Sequence, residues 1–296
     1  MKKIIKSAVI AISLAPIRLF QMLANMLGVR YFFQGDIFDC LLESRTTVRL
    51  KGGEKLTFHT PNNLTRFRAL TLLSKEPETL EWIDGFQKKS IFWDVGANVG
   101  IYSLYAAKVS ACAVYSFEPS IENTYLLNRN IAENDLQRSI FAFPFALSEN
   151  SGPNVFQHSK IQLGGAINSF GVDYSYDGKP AKFIYRYQVF GFKADDLAAI
   201  FNIPSPNYLK IDVDGIEHLI ARGAKGVLSN RALRSVLIEL NLNFPEQRNE
   251  ILSIFESCGL FLQKYEHGSE LDGDSAFSGI YNHIFTRDHP SAAAEN

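Results

Sequence analysis

The stretch DVGANVG places one carboxylate and two glycines where a short apolar segment gives way to a helical pattern. Asp94 closes the segment IFWD, and Gly96, Asn98 and Gly100 form the turn that precedes IYSLYAAK. A glycine-bearing turn between a strand and a helix brings the backbone close to a small molecule. The chemistry at this turn therefore depends on the charge of that molecule.

The turn lacks the middle glycine of the dinucleotide-binding pattern G-x-G-x-x-G. A pyrophosphate is attracted to a helix N-terminus that is free of carboxylates, so Asp94 carries the wrong charge for it. Asp94 suits an ammonium group instead, such as the one in the methionine part of S-adenosylmethionine (SAM). The turn therefore favours SAM over a dinucleotide, although Asp94 could also serve only as a helix cap.

A second acidic residue, Glu118 in VYSFEPS, follows the next apolar segment. In nucleotide-binding sheets, an acid at the end of the second strand hydrogen-bonds the ribose hydroxyls. SAM and NAD both contain adenosine, so Glu118 by itself does not separate the two cofactors. The alternative for Glu118 is a solvated strand end before Pro119.

Charged residues also cluster in the later segment KIDVDGIEH. Asp212, Asp214 and His218 are the candidate catalytic groups, because a hydroxyl acceptor has to lose its proton and a base accelerates that step. Asp214 could instead cap the following helix, and His218 could be a packing residue. Asp212, Asp214 and Glu239 could together hold a hard divalent cation, but nothing in the spacing demands one, and we expect no metal.

Strand and helix patterns alternate from residue 91 onward. The predicted strands are Ile91–Val95, Ala113–Phe117, Ile140–Leu147, Tyr208–Val213 and Ser235–Leu240, and the predicted helices are Ile101–Lys108, Asn123–Asn134, Asp195–Ile200, Ile216–Leu228 and Gln247–Cys258. Such alternation predicts an α/β fold with a mostly parallel sheet whose ligands bind beyond the carboxyl ends of the strands. Upstream, residues 45–60 predict a hairpin, and the helical pattern after it breaks near Pro77.

The 296 residues carry a formal net charge of −1, which leaves no global field to hold a polyanion. We therefore expect no nucleic acid among the partners. Cys40, Cys112 and Cys258 are far apart and lack metal-ligand spacing, which is typical of thiols in a reducing compartment. These features indicate a cytoplasmic protein.

The N-terminal stretch MKKIIKSAVIAISLAPIRLFQMLANMLGV combines three lysines with an apolar run. The uncharged part, from Ser7 to Ile17, is shorter than the roughly 18 residues of a spanning helix. From Ile17 onward, apolar residues recur at helical spacing, which predicts an amphipathic helix. Residues 1–30 therefore either pack on the protein or a partner subunit, or lie at the inner face of a membrane.

Several motifs resemble the FkbM family of SAM-dependent methyltransferases, and the likeness covers residues 91–287. The motifs are FWDVGANVGIYSLYAAK, VYSFEPSIENTYLLNRNI, YLKIDVDGIEHLIARGAKGVL and VLIELN, in this order. The resemblance implies a Rossmann-like class I methyltransferase with a seven-stranded sheet whose last strand pair is antiparallel. It also implies methyl transfer to a hydroxyl group on a sugar or a natural product.

The resemblance further implies roles for individual residues. Those expected at the methionine end of SAM are Asp94, Gly96, Asn98 and Gly100. Glu118 is expected to hold the ribose. Those expected near the adenine are Phe145, Ala146 and Leu147. Asp212 is expected to face the reacting centre and to contact the cofactor.

We therefore divide the chain into residues 1–30, an N-terminal helix; 31–90, an extension of hairpin and helices; 91–287, the methyltransferase domain; and 288–296, a flexible tail. The Gly- and Tyr-rich segment 161–178 departs from the family pattern, and we expect it to decide the acceptor. The expected partner is a small-molecule or carbohydrate acceptor, with homo-oligomer formation and peripheral membrane contact left open. A catalytically silent cofactor-binding module and an NAD(P)-dependent oxidoreductase remain the alternative functions.

Overall fold

The computed structural model describes residues 15–28, 35–36, 39–266 and 279–287. The chain divides into two compact units, residues 1–45 and 46–296. In the first unit, residues 15–26 are helical, which agrees with the predicted amphipathic helix. No helix within the described ranges is both long enough and apolar enough to cross a membrane. The predicted tail, 288–296, lies outside the described residues.

The remaining elements follow in chain order. The strands are β1 (Arg45–Arg49), β2 (Lys55–His59), β3 (Ile91–Val95), β4 (Ala113–Phe117), β5 (Ile140–Phe143), β6 (Ala146–Leu147), β7 (Gly152–His158), β8 (Asn168–Phe170), β9 (Tyr185–Phe192), β10 (Tyr208–Ile211), β11 (Ser235–Asn241), β12 (Phe261–Glu266) and β13 (Ile280–Thr286). The helices are α1 (Asn63–Leu70), α2 (Pro77–Asp84), α3 (Ile101–Val109), α4 (Ile121–Glu133), α5 (Leu197–Phe201), α6 (Glu217–Arg222), α7 (Lys225–Ser229) and α8 (Pro245–Ser257).

The central sheet has seven strands in the order β12-β13-β11-β10-β3-β4-β5. The five strands from β11 to β5 run parallel, whereas β13 is antiparallel to both β11 and β12. This confirms the predicted Rossmann-like α/β fold with an antiparallel last pair. The strand order reverses direction at β3, so the carboxyl ends of β3, β4 and β10 meet at the switch point where such sheets bind ligands.

Alternation along β3 decides which side chains face which layer. Trp93 and Val95 join the core cluster on one face of the sheet, while Phe92 joins the cluster on the other face. Asp94 shares the face of Phe92, and its register partner on β10 is Lys210. A buried carboxylate and a buried ammonium group therefore share one face at the carboxyl edge of the sheet.

The first helices begin where their sequence signals predict. Asn62 caps α1, because its side-chain oxygen accepts from the Thr65 N–H at 2.9 Å. Pro77 begins α2, which confirms the predicted break. The strands β1 and β2 form the predicted two-stranded sheet.

Two predictions about elements were wrong. The predicted strand Ile140–Leu147 divides at Pro144, because β5 joins the central sheet and β6 pairs with β9 in a second, four-stranded sheet. The predicted helix Ile216–Leu228 divides into α6 and α7 at Gly223, where a Cβ would collide with the carbonyl oxygen of Ser148. The second sheet, of order β6-β9-β7-β8, was not predicted from the sequence.

Candidate active site

A cavity of about 580 Å³ opens at the carboxyl ends of β3, β4 and β10. This volume lies within the range of small-molecule sites, ~300–1,000 Å³. The inner wall comes from the loops after these strands, and the outer wall from α1, residues 71–76 and the segment 162–176. The predicted site residues on the wall are Gly96, Asn98, Glu118, Ala146, Asp212 and Asp214.

The turn after β3 is held by the backbone of β4. The N–H groups of Gly96 and Ala97 both donate to the carbonyl oxygen of Phe117, at 2.9 and 3.2 Å. These two N–H groups are therefore already engaged and do not form a phosphate cradle. Gly96 has φ +82°, and a Cβ there would collide with the carbonyl oxygen of Asp212. Close packing of the turn on the β10 loop thus requires this glycine.

Glu118 lies on the cavity wall just beyond the end of β4. Its two carboxylate oxygens accept hydrogen bonds from the N–H groups of Asn98, at 2.7 Å, and Ser120, at 2.9 Å. Burial raises the pKa of Glu118 to about 7, although both N–H groups act to lower it. A carboxylate oxygen has two lone pairs, so both oxygens can still accept from a ribose diol.

An apolar wall stands beside Glu118. Phe145, Ala146 and Leu147 all line the cavity, together with Phe117. The ring of Phe145 lies 5.6 Å from that of Phe117, centroid to centroid, and stacks on Phe201 at 5.3 Å. These packed rings form a surface suited to a flat heterocycle such as adenine.

The structure places Asp94 and Gly100 away from this wall. The Asp94 side chain is buried behind the turn, where the Ser103 hydroxyl donates to its Oδ2 at 2.5 Å. Gly100 precedes α3 with φ +87°, and a Cβ there would lie 2.5 Å from a methyl carbon of Leu127. Neither residue is part of the cavity lining, so this geometry does not support their predicted direct contact with SAM.

Asp212 follows β10 and lies beside a fully buried cation. Its Oδ2 is 2.5 Å from the Nζ of Lys210, which is 1% exposed. The same Nζ lies 5.0 Å from the centroid of the Tyr102 ring. Burial alone would lower the pKa of Lys210, but Asp212, Glu76 and Asp94 raise it above its usual value. Lys210 therefore carries a permanent positive charge at the cavity floor.

Asp214 lines the cavity and also holds the segment 162–176 of the outer wall in place. Its Oδ2 accepts from the N–H of Ile167 at 2.7 Å and, at 3.4 Å, from the N–H of Asn168. Burial and the neighbouring charge of Asp212 raise the pKa of Asp214 to about 6. Among the residues that the structure describes, no group of three His, Cys, Asp or Glu side chains is arranged to hold a metal ion.

Three further cavity residues were not predicted as catalytic or cofactor-binding groups, although Glu239 was considered above as a possible ligand of a divalent cation. Glu239 on β11 lines the cavity, and burial followed by the charges of Asp212 and Glu76 raises its pKa well above the usual value. Lys75 and Glu76, which precede α2, form an ion pair at 2.5 Å on the same wall. Burial opposes ionisation of Glu76, but Lys75 and Lys210 outweigh it and hold its pKa at about 2. The only sequence signal was Glu239, a charge that interrupts the apolar run VLIEL.

His218 is not brought to the cavity. The residue is buried on α6, with Nε2 at 3.4 Å from the Tyr174 hydroxyl and Nδ1 at 3.4 Å from the Gln247 amide nitrogen. Its ring packs 5.9 Å from the ring of Phe244, centroid to centroid, and burial lowers its pKa. The geometry thus gives His218 a packing role and does not support the predicted catalytic one.

Side chains from three elements tie the segment 162–168 over the cavity. Three donate to successive carbonyl oxygens of the segment: Asn62 to Leu163 (3.0 Å), Arg68 Nε to Gly164 (2.8 Å) and Asn98 to Gly165 (2.8 Å). Asn123 adds a donor to Gly165 and an acceptor to the Gly164 N–H, each at 3.0 Å. The predicted acceptor-determining segment is therefore part of the cavity and is fixed by polar contacts rather than by apolar packing.

Comparison with known proteins gives this site a class. The model of the FkbM methyltransferase domain matches residues 94–260. A hexuronic acid methyltransferase, AglP of Haloferax volcanii, is 23% identical over 168 residues, or 56% of this chain and 63% of the relative. The match thus spans less than two thirds of that relative's length.

Solved structures show limited likenesses. An FkbM methyltransferase from Methylobacillus flagellatus is 16% identical, with a TM-score of 0.43, over 67% of this chain and 44% of that one. The fibrillarin of Aeropyrum pernix, solved with SAM, is 10% identical, with a TM-score of 0.44, over 82% and 94% of the two chains. Likenesses of this size add no argument about the reaction.

The matched family model gives the class of this domain. The chain belongs to the FkbM methyltransferase domain family, whose model matches more than half of it. SAM is its cofactor. The cavity fits this group, because it offers acceptors for ribose hydroxyls at Glu118, an apolar wall for adenine and carboxylates for the cationic methionine part. The dinucleotide alternative lacks its phosphate cradle.

Proposed function

We propose that this protein transfers the methyl group of SAM to a hydroxyl group of a sugar or a sugar-like small molecule. The proposal rests on the surroundings of Glu239. This carboxylate lines the cavity and forms no hydrogen bond or ion pair with any residue of the described part of the chain. Glu239 follows the register pair Ile211–Ile238, so it stands beside Asp212 at the same edge of the sheet. An acceptor hydroxyl in the outer cavity would lie within reach of it.

In this proposal the inner cavity holds the cofactor. Glu118 accepts the ribose hydroxyls, Ala146 and its neighbours cover the adenine, and Asp212 faces the positive charge of the methionine part. Gly96 and Asn98 shape the turn and orient Glu118 through the Asn98 N–H. Bound SAM supplies an activated methyl group. The protein mainly has to position the acceptor, which can lower the barrier by up to ~7–11 kcal/mol.

Glu239 then accepts the hydroxyl proton. A carboxylate with a raised pKa is a stronger base than an ordinary one, and a positioned base contributes ~10²–10⁴-fold to the rate. A positive charge bound beside Asp212 would favour the ionised form of Glu239. Asp214, whose Oδ2 already accepts two N–H groups, positions the segment 162–168 instead.

The charges of the outer cavity support a sugar acid as the particular acceptor. Arg68, Lys75 and Lys160 all line the cavity. Guanidinium and ammonium groups bind carboxylates, and Arg does so with two parallel hydrogen bonds. The relative in Haloferax volcanii is named for hexuronic acid, which agrees with such an acceptor. Transfer to the carboxylate itself, which needs no base, is the second candidate.

Transfer from labelled SAM to glucose and to glucuronic acid tests the proposal. We expect label on the uronic acid, retained after mild alkali, which cleaves a methyl ester but not a methyl ether. Glu239→Gln should then lower kcat by about 10²–10⁴-fold with unchanged SAM affinity, and Asp214→Asn should mainly raise the acceptor KM. If mild alkali instead removes the label and the Glu239→Gln variant stays active, the methyl group is transferred to the carboxylate of the uronic acid. If the protein binds SAM but transfers no label to either sugar or to a cell extract, the result would support the alternative of a catalytically silent cofactor-binding module.

A further inference from the structure

The helix formed by residues 15–26, together with Leu27 in the turn that follows it, exposes a continuous apolar face. Leu19, Met22, Leu23, Met26 and Leu27 are between 45% and 76% exposed. At 3.6 residues per turn these positions fall within less than half of the helix circumference. Large apolar side chains at this exposure need a partner that removes them from water.

The opposite side of the helix differs in size and polarity. Ile17, Gln21 and Ala24 recur at a spacing of one turn and are less exposed than the apolar face. Arg18 and Asn25 are exposed and polar, and they flank that side. The helix is therefore amphipathic, and its large apolar residues are the exposed ones. A helix that packs on a hydrophobic core buries such residues instead.

The charge around this helix identifies the partner. Residues 1–35 contain five basic residues, Lys2, Lys3, Lys6, Arg18 and Arg30, and no acidic residue. The remaining chain carries all 31 acidic residues against 25 basic ones. A basic stretch with an exposed apolar face is complementary to an anionic lipid surface, whereas pairing of this face with its equivalent in a second copy would bring like charges together.

We propose that residues 15–27 lie in the interface of an anionic membrane and hold the protein at the lipid surface. The apolar face enters the boundary between headgroups and acyl chains, and the basic residues contact lipid phosphates, each contributing roughly 1 kcal/mol near the surface. The proposal does not depend on the reaction of the cavity.

Flotation of the full-length protein with lipid vesicles tests the proposal. One set of vesicles is phosphatidylcholine alone, and the other contains about 30% phosphatidylglycerol. We expect strong binding to the anionic vesicles, weaker binding to the neutral ones, and partial release by high salt, because headgroup attraction is screened while apolar burial is not.

The triple variant Leu19→Glu, Leu23→Glu, Met26→Glu should bind the anionic vesicles at least about tenfold more weakly, because three charges would have to enter the lipid boundary. The control, Ile184→Glu with Ile200→Glu, changes side chains that are 63% and 50% exposed in the other unit and should bind like the wild type. SAM affinity should be unchanged in both variants, which shows that the cavity is intact.

Three results would overturn the proposal. The first is a wild type that stays unbound with both kinds of vesicle, and the second is a triple variant that floats as well as the wild type. The third is a dimer, detected by light scattering without lipid and abolished in the triple variant, together with no vesicle binding. The last result would assign the apolar face to a second copy of the chain.

Discussion

The Nζ of Lys210 lies 2.5 Å from the Oδ2 of Asp212, and this ion pair joins the floor of the cavity to the buried face of the sheet. Lys210 is inside β10 and 1% exposed, whereas the Asp212 side chain is 27% exposed and reaches the cavity. Asp94 and Glu76 add further negative charge around the same ammonium group. One buried cation therefore attracts carboxylates from both the sheet and the N-terminal extension.

Replacing Lys210 by Met should be strongly destabilising. The substitution keeps most of the volume but leaves Asp212 and Asp94 without the cation that faces them, and loss of one partner of a buried pair typically costs about 3–5 kcal/mol. Urea unfolding at pH 7 measures the loss. Lys88→Met, at an exposed lysine, is the control and should change the free energy of unfolding by less than about 0.5 kcal/mol. Equal stability of the two variants would contradict the buried-pair account.

Gly96→Ala should destabilise the protein more than Gly53→Ala. Both glycines have positive φ, +82° and +93°, so each alanine pays a similar backbone strain of about 1 kcal/mol. Only at Gly96 would the added Cβ meet the carbonyl oxygen of Asp212, whereas nothing lies within 4 Å at Gly53. Because backbone atoms at the collision cannot rotate away, the difference in unfolding free energy should exceed about 1 kcal/mol. Matching losses would mean that the turn moves freely.

The sequence predicted the central sheet well because its strands are short, buried and apolar. Runs such as IFWDV and YLKI, separated by amphipathic helices, leave few topologies open. The second sheet was missed because half of the residues of β9 (YRYQVFGF) are exposed and the strand mixes polar with aromatic residues, so its period is weak. Its position is set by pairing with β7, which is a tertiary contact.

The site was predicted in part. The positions of Glu118 and Asp212 follow from their place at strand ends, and the structure brings both to the cavity. Asp94, in contrast, lies inside β3, which ends at Val95, and alternation directs its side chain toward Ser103 on α3, a difference of one residue that the motif alone does not reveal. Lys75 and Glu76 reach the cavity only through the packing of the extension.

Arg68→Met should weaken acceptor binding more than cofactor binding. The Arg68 Nε donates to the carbonyl oxygen of Gly164 at 2.8 Å and fixes the segment that forms the outer cavity. Its loss removes one of the side-chain contacts that hold the segment, so the acceptor KM should rise about tenfold, while the SAM dissociation constant changes by less than about threefold. Arg66→Met, on the same helix but exposed, is the matched control and should behave like the wild type. Equal losses in both constants would place Arg68 at the cofactor.

The raised pKa of Glu118, about 7 against an ordinary 4.5, predicts a pH dependence of stability. Between these two values the folded state holds a proton that the unfolded state has released, so Glu118 makes the protein less stable as the pH rises. The full effect would be up to about 3 kcal/mol. Glu118→Gln should therefore lose less unfolding free energy than the wild type between pH 5 and pH 8.

SAM binding should show the opposite dependence on pH. The ionised carboxylate of Glu118 accepts ribose hydroxyls with both oxygens, so affinity should rise through pH 7 in the wild type. Glu118→Gln removes the charge and one acceptor, and a hydrogen bond to a charged group is worth about 1.5–3 kcal/mol, or about 10–150-fold in affinity. Calorimetry at pH 6 and pH 8 measures both effects. If the SAM affinity of the wild type is independent of pH and equals that of Glu118→Gln, Glu118 does not contact the cofactor. A ribose contact would change at least one of the two, the pH dependence or the affinity.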